Sequence, residues 1–285
     1  MTDKPSKFSL TQMDSVAWLR TLPDESVDLC VTDYAYESLE KHRSKGTTTR
    51  LKVSDGSSNE WFEIFRNHRV PELLSEIFRV LKKNSHLYMI SDQETMIDVV
   101  RPMGREAGFV FWKSLSWVKV CGKDDGEVID PEKELSEDDV KIGMGYHWRN
   151  SKEEISFLEK GKRKLNHLGW PDVLPAPRVD KAYPTEKPVS LLRTLIENSS
   201  NPGDLVIDPF MGSASCGEAA LKSGRSFAGC DISPKSLEVA KERLAPLGEI
   251  FTLPKRGGVW EGVVTPQVVS APTSLGGLLG FDEEE

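Results

Sequence analysis

The chain has 285 residues, a net charge of −8, and 29% charged and 38% hydrophobic residues. This length is ample for one large α/β domain with appendages, or for two small domains. No apolar run approaches membrane-spanning length and the N-terminus lacks an apolar signal core, so we expect a cytoplasmic protein with no membrane partner. The four cysteines show neither CxxC spacing nor a nearby histidine, which predicts reduced thiols and no metal site.

The negative charge is concentrated in two stretches. Residues 123–141 carry nine acidic and three basic side chains, and the last four residues are all acidic. The rest of the chain then carries +2 (−8 + 6 + 4), so the overall charge does not exclude a nucleic-acid partner. Turn residues and the charge run predict that residues 121–141 form an exposed acidic insertion, and a partner for it is left open.

The first half of the chain alternates predicted strands and helices behind a flexible leader at residues 1–7. Strands are predicted at 8–12, 27–32, 86–91 and 109–118, and helices at 15–22, 61–65, 71–81 and 94–107. The strand at 27–32 (VDLCVT) is mainly apolar, as is typical of a buried parallel strand. Open α/β sheets place their chemistry at the carboxyl ends of such strands, which makes the next four residues a candidate catalytic motif. These residues are Asp33, Tyr34, Ala35 and Tyr36.

Basic residues after this motif are candidate DNA contacts. Residues 37–52 are either a polar surface loop or a mobile clamp on DNA phosphates. Residues 160–164 form the densest basic cluster, and residues 143–150 mix glycine with aromatic and basic side chains. In the latter stretch Trp148 is either a half-buried packing residue or a base contact. The candidate contacts are Lys41, Arg43, Lys45, Arg50, Lys52, Arg149, Lys162, Arg163 and Lys164.

The stretch 204–215, DLVIDPFMGSAS, predicts a short buried strand, a turn of small residues and a helix from about residue 216. This order is typical of nucleotide sites, because small residues let a ligand approach the backbone and the amides at the helix start are free. A second strand at 226–230 ends in Asp231, an acidic residue placed to hold a ribose by its hydroxyls. Helices are predicted at 189–198 and 234–244, and residues 251–285 are predicted to form a disordered, partner-binding tail.

The series TEKP (185–188), DPFMGS (208–213) and the strand ending in Asp231 resembles the cofactor half of amino-directed DNA methyltransferases. That family moves a methyl group from S-adenosylmethionine to N6 of adenine or N4 of cytosine, and in its beta class the catalytic motif comes first, as here. The resemblance implies a doubly wound, mostly parallel α/β sheet over residues 8–250. It divides the domain into a catalytic half (8–120), the insertion (121–141), a short recognition region (about 160–182) and a cofactor half (183–250).

The resemblance also assigns cofactor contacts. Asp231 and Ile232 would hold the ribose and adenine, with Asp14 near the adenine. The family's GSG ends here in Ala214, a change that costs little unless this position needs a positive φ. Thr185 and Lys187 would approach the cofactor's carboxylate, and its methionine side would be lined by Asp208, Pro209, Phe210, Gly212 and Ser213.

The family's catalytic motif is DPPY, and the present DYAY keeps its first and last residues. In the family, the carboxylate and the next carbonyl accept hydrogen bonds from the target amine and draw its lone pair out of conjugation. The aromatic residue stacks on a base flipped out of duplex DNA. Asp33 and Tyr36 match these two roles, and the aspartate favours N6 of adenine. Tyr34 and Ala35 replace the prolines and change what pre-shapes the loop.

The altered motif leaves three alternatives open. The protein methylates an exocyclic amine in a short duplex site with a different loop geometry, it transfers another group or acts on RNA, or it is a non-catalytic scaffold that binds DNA or a partner. The short recognition region suggests a short target, limited specificity, or reliance on residues 37–65 and on homodimerisation. The resemblance further implies a bacterial or phage protein, as in restriction-modification.

Overall fold

The computed structural model describes residues 6–37, 63–132, 134–143, 148–179 and 185–257. The helices are α1 (Ser15–Thr21), α2 (Val70–Val80), α3 (93–106, with a π-type segment at Met96–Val100), α4 (Val189–Ser199), α5 (Ser215–Lys222) and α6 (Pro234–Leu244). The strands are β1 (Lys7–Gln12), β2 (Val27–Asp33), β3 (Leu81–Ser91), β4 (Val110–Val120), β5 (Lys152–Lys160), β6 (Val173–Pro177), β7 (Leu205–Asp208), β8 (Ser226–Asp231) and β9 (Glu249–Ile250).

The described strands form one nine-stranded sheet in the order β6-β4-β5-β3-β2-β7-β8-β1-β9. All neighbours pair in parallel except β5, which runs antiparallel to both β3 and β4. Strand β2 is followed by β3 on one side, and β7 is followed by β8 on the other. The chain therefore winds in opposite directions from the β2–β7 pair, and ligands of such sheets bind outside the carboxyl ends at that switch point. The predicted doubly wound, mostly parallel sheet is confirmed.

Helices cover both faces of the sheet. This explains why the central residues of strand β2 are all apolar and do not alternate with polar ones. Leu29 and Val31 point into a core cluster beneath α4, α5 and α6, whereas Cys30 points into a second cluster beneath α1, α2 and α3. Successive side chains of a strand face opposite ways, so a segment buried on both sides is apolar at successive positions, whereas the half-buried Asp28 near the start of β2 pairs with Lys82.

Several predicted elements differ from the structure at their ends. The predicted leader ends earlier, because Lys7 already pairs in β1. The predicted helix at 61–65 is absent from its described residues, where the Phe65 amide instead donates to the Ala35 carbonyl (2.8 Å). The recognition region contains an edge strand, β6. This strand was not predicted, because proline is uncommon within strands other than edge strands.

The first residues of the predicted tail, 251–257, lie against the domain. Phe251 donates its amide to the Phe8 carbonyl, and Arg256 donates its amide to the Thr21 carbonyl. These backbone bonds hold the chain against the domain as far as residue 257, and residues 258–285 lie outside the described part.

The acidic insertion is only partly exposed, in contrast to the prediction. The Asp124 carboxylate accepts hydrogen bonds from the amides of Val189 (2.7 Å) and Ser190 (3.3 Å) at the start of α4. The Ile129 side chain lies in the core, and its amide donates to the Thr194 hydroxyl. A carboxylate at a helix N-terminus satisfies free amides and complements the helix dipole, so part of the insertion is structural.

Two predicted absences concern the membrane and metals. Within the described ranges, no helix is long and apolar enough to cross a bilayer. The same ranges contain no group of three or more His, Cys, Asp or Glu side chains arranged to hold a metal ion. The cysteines are free; three are buried and Cys121 is exposed.

Candidate active site

A cavity of about 410 Å³ opens at the switch point, beyond the carboxyl ends of β2 and β7. Its volume falls within the range of about 300–1,000 Å³ that is usual for small-molecule sites. The structure brings together both halves of the predicted site, because every predicted catalytic and cofactor-binding residue lines this cavity. They are Asp14, Asp33, Tyr34, Ala35, Tyr36, Thr185, Lys187, Asp208, Pro209, Phe210, Gly212, Ser213, Asp231 and Ile232.

Two carboxylates shape the turn of small residues after β7. Asp208 accepts hydrogen bonds from the Phe210 amide (3.0 Å) and the Thr32 hydroxyl (2.8 Å). Asp231 accepts from the amides of Gly212 (3.0 Å) and Ser233 (2.8 Å), one on each oxygen. Because each carboxylate oxygen has a second lone pair, Asp231 keeps capacity for ligand hydroxyls while it positions the turn.

The backbone of this turn is left-handed at two positions. Gly212 has φ +48°, and Ala214, at the start of α5, has φ +57° and ψ +37°. Ala214 was expected to be a mild replacement for glycine unless its position has a positive φ, and the structure shows a positive φ there. A left-handed conformation costs an L-residue about 1–2 kcal/mol, so Ala214 is a strained position beside the site.

Burial makes Asp208 a weak acid. Removal of the carboxylate from water raises its pKa to about 7, and the nearby charges of Asp33 and Asp231 act in the same direction. The hydrogen bonds from Phe210 and Thr32 oppose this rise but do not cancel it. Asp208 therefore exchanges its proton close to neutral pH.

The catalytic candidate Asp33 is part of a chain of four charges. The Lys187 ammonium nitrogen lies 2.5 Å from Asp33 Oδ2 and 3.4 Å from Glu153 Oε2, and Lys119 Nζ lies 2.8 Å from Glu153 Oε1. Burial alone would lower the pKa of Lys187, but the two carboxylates raise it overall, so the side chain is cationic. Burial raises the pKa of Asp33, and Lys187 offsets part of that rise.

Tyr34 forms the inner wall of the cavity. Its side chain is 1% exposed and packs against Tyr36, Phe65 and Phe210, with ring centroids 5.9–6.1 Å apart. No described group hydrogen-bonds its hydroxyl. The loop of residues 33–36 is therefore restrained by ring packing and by the hydrogen bond from the Phe65 amide to the Ala35 carbonyl. In the family motif, two prolines would restrain this loop.

Asp14 is held from two directions. Its carboxylate caps α1 through the Ala17 amide (3.1 Å), and one Arg69 nitrogen lies 2.9 Å from both of its oxygens. Although burial opposes it, these partners lower the pKa of Asp14. The Arg69 guanidinium also lies 4.8 Å from the centre of the Phe65 ring. Arg69 and Phe65 line the cavity and were missed, because nothing local in the sequence connects them with Asp14 or Ala35.

Glu153 and Lys119 were also missed as site residues. Glu153 lies on β5, and nothing local in the sequence shows that this strand runs antiparallel to its neighbours. The start of β5 therefore lies beside the carboxyl end of β3, with Glu154 opposite Ser91. Only this topology brings Glu153 to the cavity.

The predicted DNA contacts divide into three groups. Arg149 is exposed at the carboxyl edge and donates from Nε to the Gly143 carbonyl (3.0 Å). Next to it, Trp148 is 95% exposed, so the prediction of half-buried packing is wrong and the alternative of a base contact stays a prediction. A second group, Lys41, Arg43, Lys45, Arg50 and Lys52, lies outside the described residues.

The third group, a basic cluster, lies at the edge of the sheet opposite the cavity. Lys162, Arg163 and Lys164 follow the end of β5; the Lys162 amide donates to Asn84 Oδ1 (2.9 Å), and the Arg163 carbonyl lies 3.2 Å from His86 Nε2. Strands rise about 3.4 Å per residue, so the length of β5 separates this cluster from Glu153 by roughly 25 Å. The structure does not bring these three residues to the cavity.

Comparison with known proteins shows the family of this chain. A family model for N6/N4 methyltransferases, described as DNA methylase, matches residues 27–242. DNA adenine methyltransferase YhdJ of Escherichia coli (strain K12) is 29% identical over 267 residues, which cover 85% of each chain.

Solved structures of DNA methyltransferases share the fold. The M1.HpyAVI–SAM complex has a TM-score of 0.55 at 19% identity and covers 83% of this chain and 100% of its own. The cytosine-N4-specific PvuII DNA methyltransferase has a TM-score of 0.57 at 16% identity, covering 85% and 89%. Because the family model spans more than half of the sequence, the chain belongs to the N6/N4 family of DNA methylases.

Proposed function

We propose that this protein transfers a methyl group from S-adenosylmethionine to N6 of adenine in a short duplex DNA site. The main observation in support is that the Asp33 carboxylate at the cavity has one paired and one available oxygen. One carboxylate oxygen is held by Lys187, and no other described group hydrogen-bonds this side chain. The name of the relative YhdJ, a DNA adenine methyltransferase, supports adenine over cytosine.

The cavity fits S-adenosylmethionine as its cofactor. The turn at Gly212 can lie close to a ligand because its positive φ suits glycine, and Asp231 offers lone pairs to ribose hydroxyls. The turn packs tightly on strand β8, because a Cβ added at Gly229 of that strand would lie 2.6 Å from the sulfur of Met211 in the turn. Ser213 is held from behind by the buried Glu186 (3.3 Å). When bound, the cofactor supplies an electrophilic methyl group on a sulfonium.

The DYAY motif activates the amine through hydrogen bonds. The second Asp33 oxygen accepts one amine hydrogen, and the Tyr34 carbonyl accepts the other. This pair of acceptors draws the nitrogen lone pair out of the ring and stabilises the positive charge that develops during transfer. Tyr36 stacks on the flipped base, since its ring is half-buried at the cavity wall. The Tyr34 ring has no substrate role because it is packed inward.

Trp148 and Arg149 are the described residues best placed to meet DNA. They lie in a loop closed by the Gly143 amide, which donates to the Asn150 carbonyl (2.8 Å). At its base, the Lys141 amide donates to the carbonyl of the cavity residue Lys119 (2.8 Å). Large exposed aromatic side chains are uncommon on proteins and stack readily on bases. The proposal keeps the basic residues of 41–52 as further phosphate contacts and leaves out 162–164.

We further propose that the protein acts in the cytoplasm. Homodimerisation, and partners for the acidic segment or the tail, stay predictions. The edge strand β6, which contains Pro175 and Pro177, is poorly suited to extend the sheet into a second copy.

The test is incorporation of label. The protein is incubated with tritiated S-adenosylmethionine and unmethylated duplex DNA, and the digested nucleosides are separated. We expect label in N6-methyldeoxyadenosine, and none with Asp33→Ala. Label in N4-methyldeoxycytidine would overturn the adenine assignment, and inhibition by RNA stronger than by duplex DNA would overturn the substrate. Cofactor binding by calorimetry without any labelled nucleoside would leave the scaffold alternative.

A further inference from the structure

The ammonium group of Lys187 is surrounded by acceptors from its own chain. Its nitrogen lies 2.5 Å from Asp33 Oδ2, 3.2 Å from the Thr185 carbonyl oxygen and 3.4 Å from Glu153 Oε2. A lysine ammonium has three N–H donors, and here each has an acceptor. The residue is 8% exposed. Lys187 therefore has no donor left over for the cofactor's carboxylate, which was its expected role.

Rigid elements fix the acceptors around Lys187. Glu153 and Lys119 project from neighbouring strands, β5 and β4, and their side chains are 2.8 Å apart. The Lys119 ammonium lies 5.3 Å from the centre of the Trp117 ring, and the buried Trp117 donates from Nε1 to the Ala176 carbonyl (2.9 Å). The position of Glu153, and through it that of Lys187, is thus set by three adjacent strands.

We propose that Lys187, Glu153 and Lys119 are positioning residues for Asp33, which hold one carboxylate oxygen so that the other meets the target amine. This inference rests on the proposed function. A protonated Asp33 could not present two acceptor oxygens, and burial favours protonation. Lys187 opposes that protonation. Glu153 alone would favour it by like-charge repulsion, and Lys119 neutralises Glu153. The four charges sum to zero, so each buried charge of the cluster has an opposite charge within the chain.

The acid limb of the pH–rate profile reports the ionisation of Asp33 in this arrangement. Groups facing Asp33 come from every neighbouring element. The charged ones are Lys187, Glu153 and Lys119, and the neutral ones are the phenols of Tyr34 and Tyr36 and, below its pKa of about 7, Asp208.

The first variant is Lys187→Met. Loss of the counter-charge should move the acid limb of kcat to higher pH, and misplacement of the carboxylate by about 1 Å should lower kcat about 100-fold. Binding of S-adenosylhomocysteine, measured by calorimetry, should change by less than about twofold, because Lys187 does not contact the cofactor. Lys187→Arg should restore the acid limb. Cofactor binding weakened tenfold or more, with the acid limb unmoved, would overturn the inference.

Glu153→Gln tests the same arrangement with nearly unchanged shape, should Lys187→Met fail to fold. Removal of a negative charge that raises the pKa of Asp33 should move the acid limb to lower pH. Lys113→Met is the matched control, since Lys113 forms an exposed ion pair with Asp172 at the far end of β4. An acid limb at the wild-type position in Glu153→Gln would refute the positioning role. Absence of any wild-type methylation would instead refute the proposed function, and the calorimetry would still decide whether Lys187 binds the cofactor.

Discussion

The proton on Asp208 makes a quantitative prediction about stability. Asp208 is 5% exposed, and its pKa is about 7 in the folded protein against an ordinary value of 3.8. Between these two values the folded state holds a proton that the unfolded state has lost. Stability therefore falls as pH rises through this window, the reverse of the usual behaviour of a paired carboxylate. Asp208→Asn removes the titration and keeps an oxygen to accept from Thr32 and the Phe210 amide.

The size of the effect follows from the width of the window. From pH 5.5 to the folded pKa of about 7 is roughly 1.5 pH units, and each is worth about 1.36 kcal/mol. Relative to the asparagine variant, the wild type should thus lose about 2 kcal/mol of unfolding free energy between pH 5.5 and pH 8. Other titrating groups are shared by both proteins and largely cancel in the difference.

Urea denaturation of both proteins at pH 5.5 and pH 8.0 measures this difference. The reasoning is wrong if the gap between the two unfolding free energies is the same at both pH values, since Asp208 would then be ionised throughout. The same proton should weaken binding of a cationic cofactor at the cavity that Asp208 lines. S-adenosylmethionine should bind more tightly at pH 8 than at pH 6, whereas the uncharged S-adenosylhomocysteine should respond less.

Four further substitutions test the loop, the motif, the turn and helix α5. Trp148→Ala should weaken duplex binding by the roughly 1–3 kcal/mol of one stacked base, measured by fluorescence anisotropy, whereas Trp112→Ala, 63% exposed near the opposite edge, should not. Tyr34→Phe removes a buried hydroxyl without a described partner and should raise stability by about 1 kcal/mol in urea titration; lower stability would mean that the hydroxyl is bonded. Ala214→Gly trades about 1–2 kcal/mol of backbone strain for about 0.8 kcal/mol of methyl burial and should be neutral to slightly stabilising by thermal unfolding. Gly217→Ala, whose added Cβ would lie 2.7 Å from a phenylalanine ring, should cost about 1–3 kcal/mol in the same assay.

The sequence could predict those features that local patterns encode. Strand β2 is apolar because both faces are buried, and the turn after β7 is made of small residues because of its backbone, so both are visible in short windows. The meeting of the two halves could be predicted because parallel strands end at one edge. The resemblance supplied the order of the motifs, and the cavity holds every cofactor and catalytic residue that it named.

The residues that were missed depend on pairings between distant parts of the chain. Glu153 reaches the cavity only because β5 is antiparallel, and the same reversal carries Lys162–Lys164 to the far edge. A basic cluster in a window of five residues says nothing about which edge of the sheet it occupies. The direction of one strand therefore decides where both Glu153 and this cluster lie.

The DYAY motif shows how a family pattern can change while its geometry keeps support. Two prolines would restrict φ locally, at no cost in other residues. Here the restraint comes from elsewhere: Phe65 bonds to the Ala35 carbonyl and packs on the Tyr34 ring, while Lys187 holds Asp33. Such support depends on residues about 30 and 150 positions away, so replacing Tyr34 by proline in this chain would remove a buried ring and open a cavity. The variant motif is consequently a matched part of this particular core, and we expect restored prolines to lower stability before they could improve catalysis.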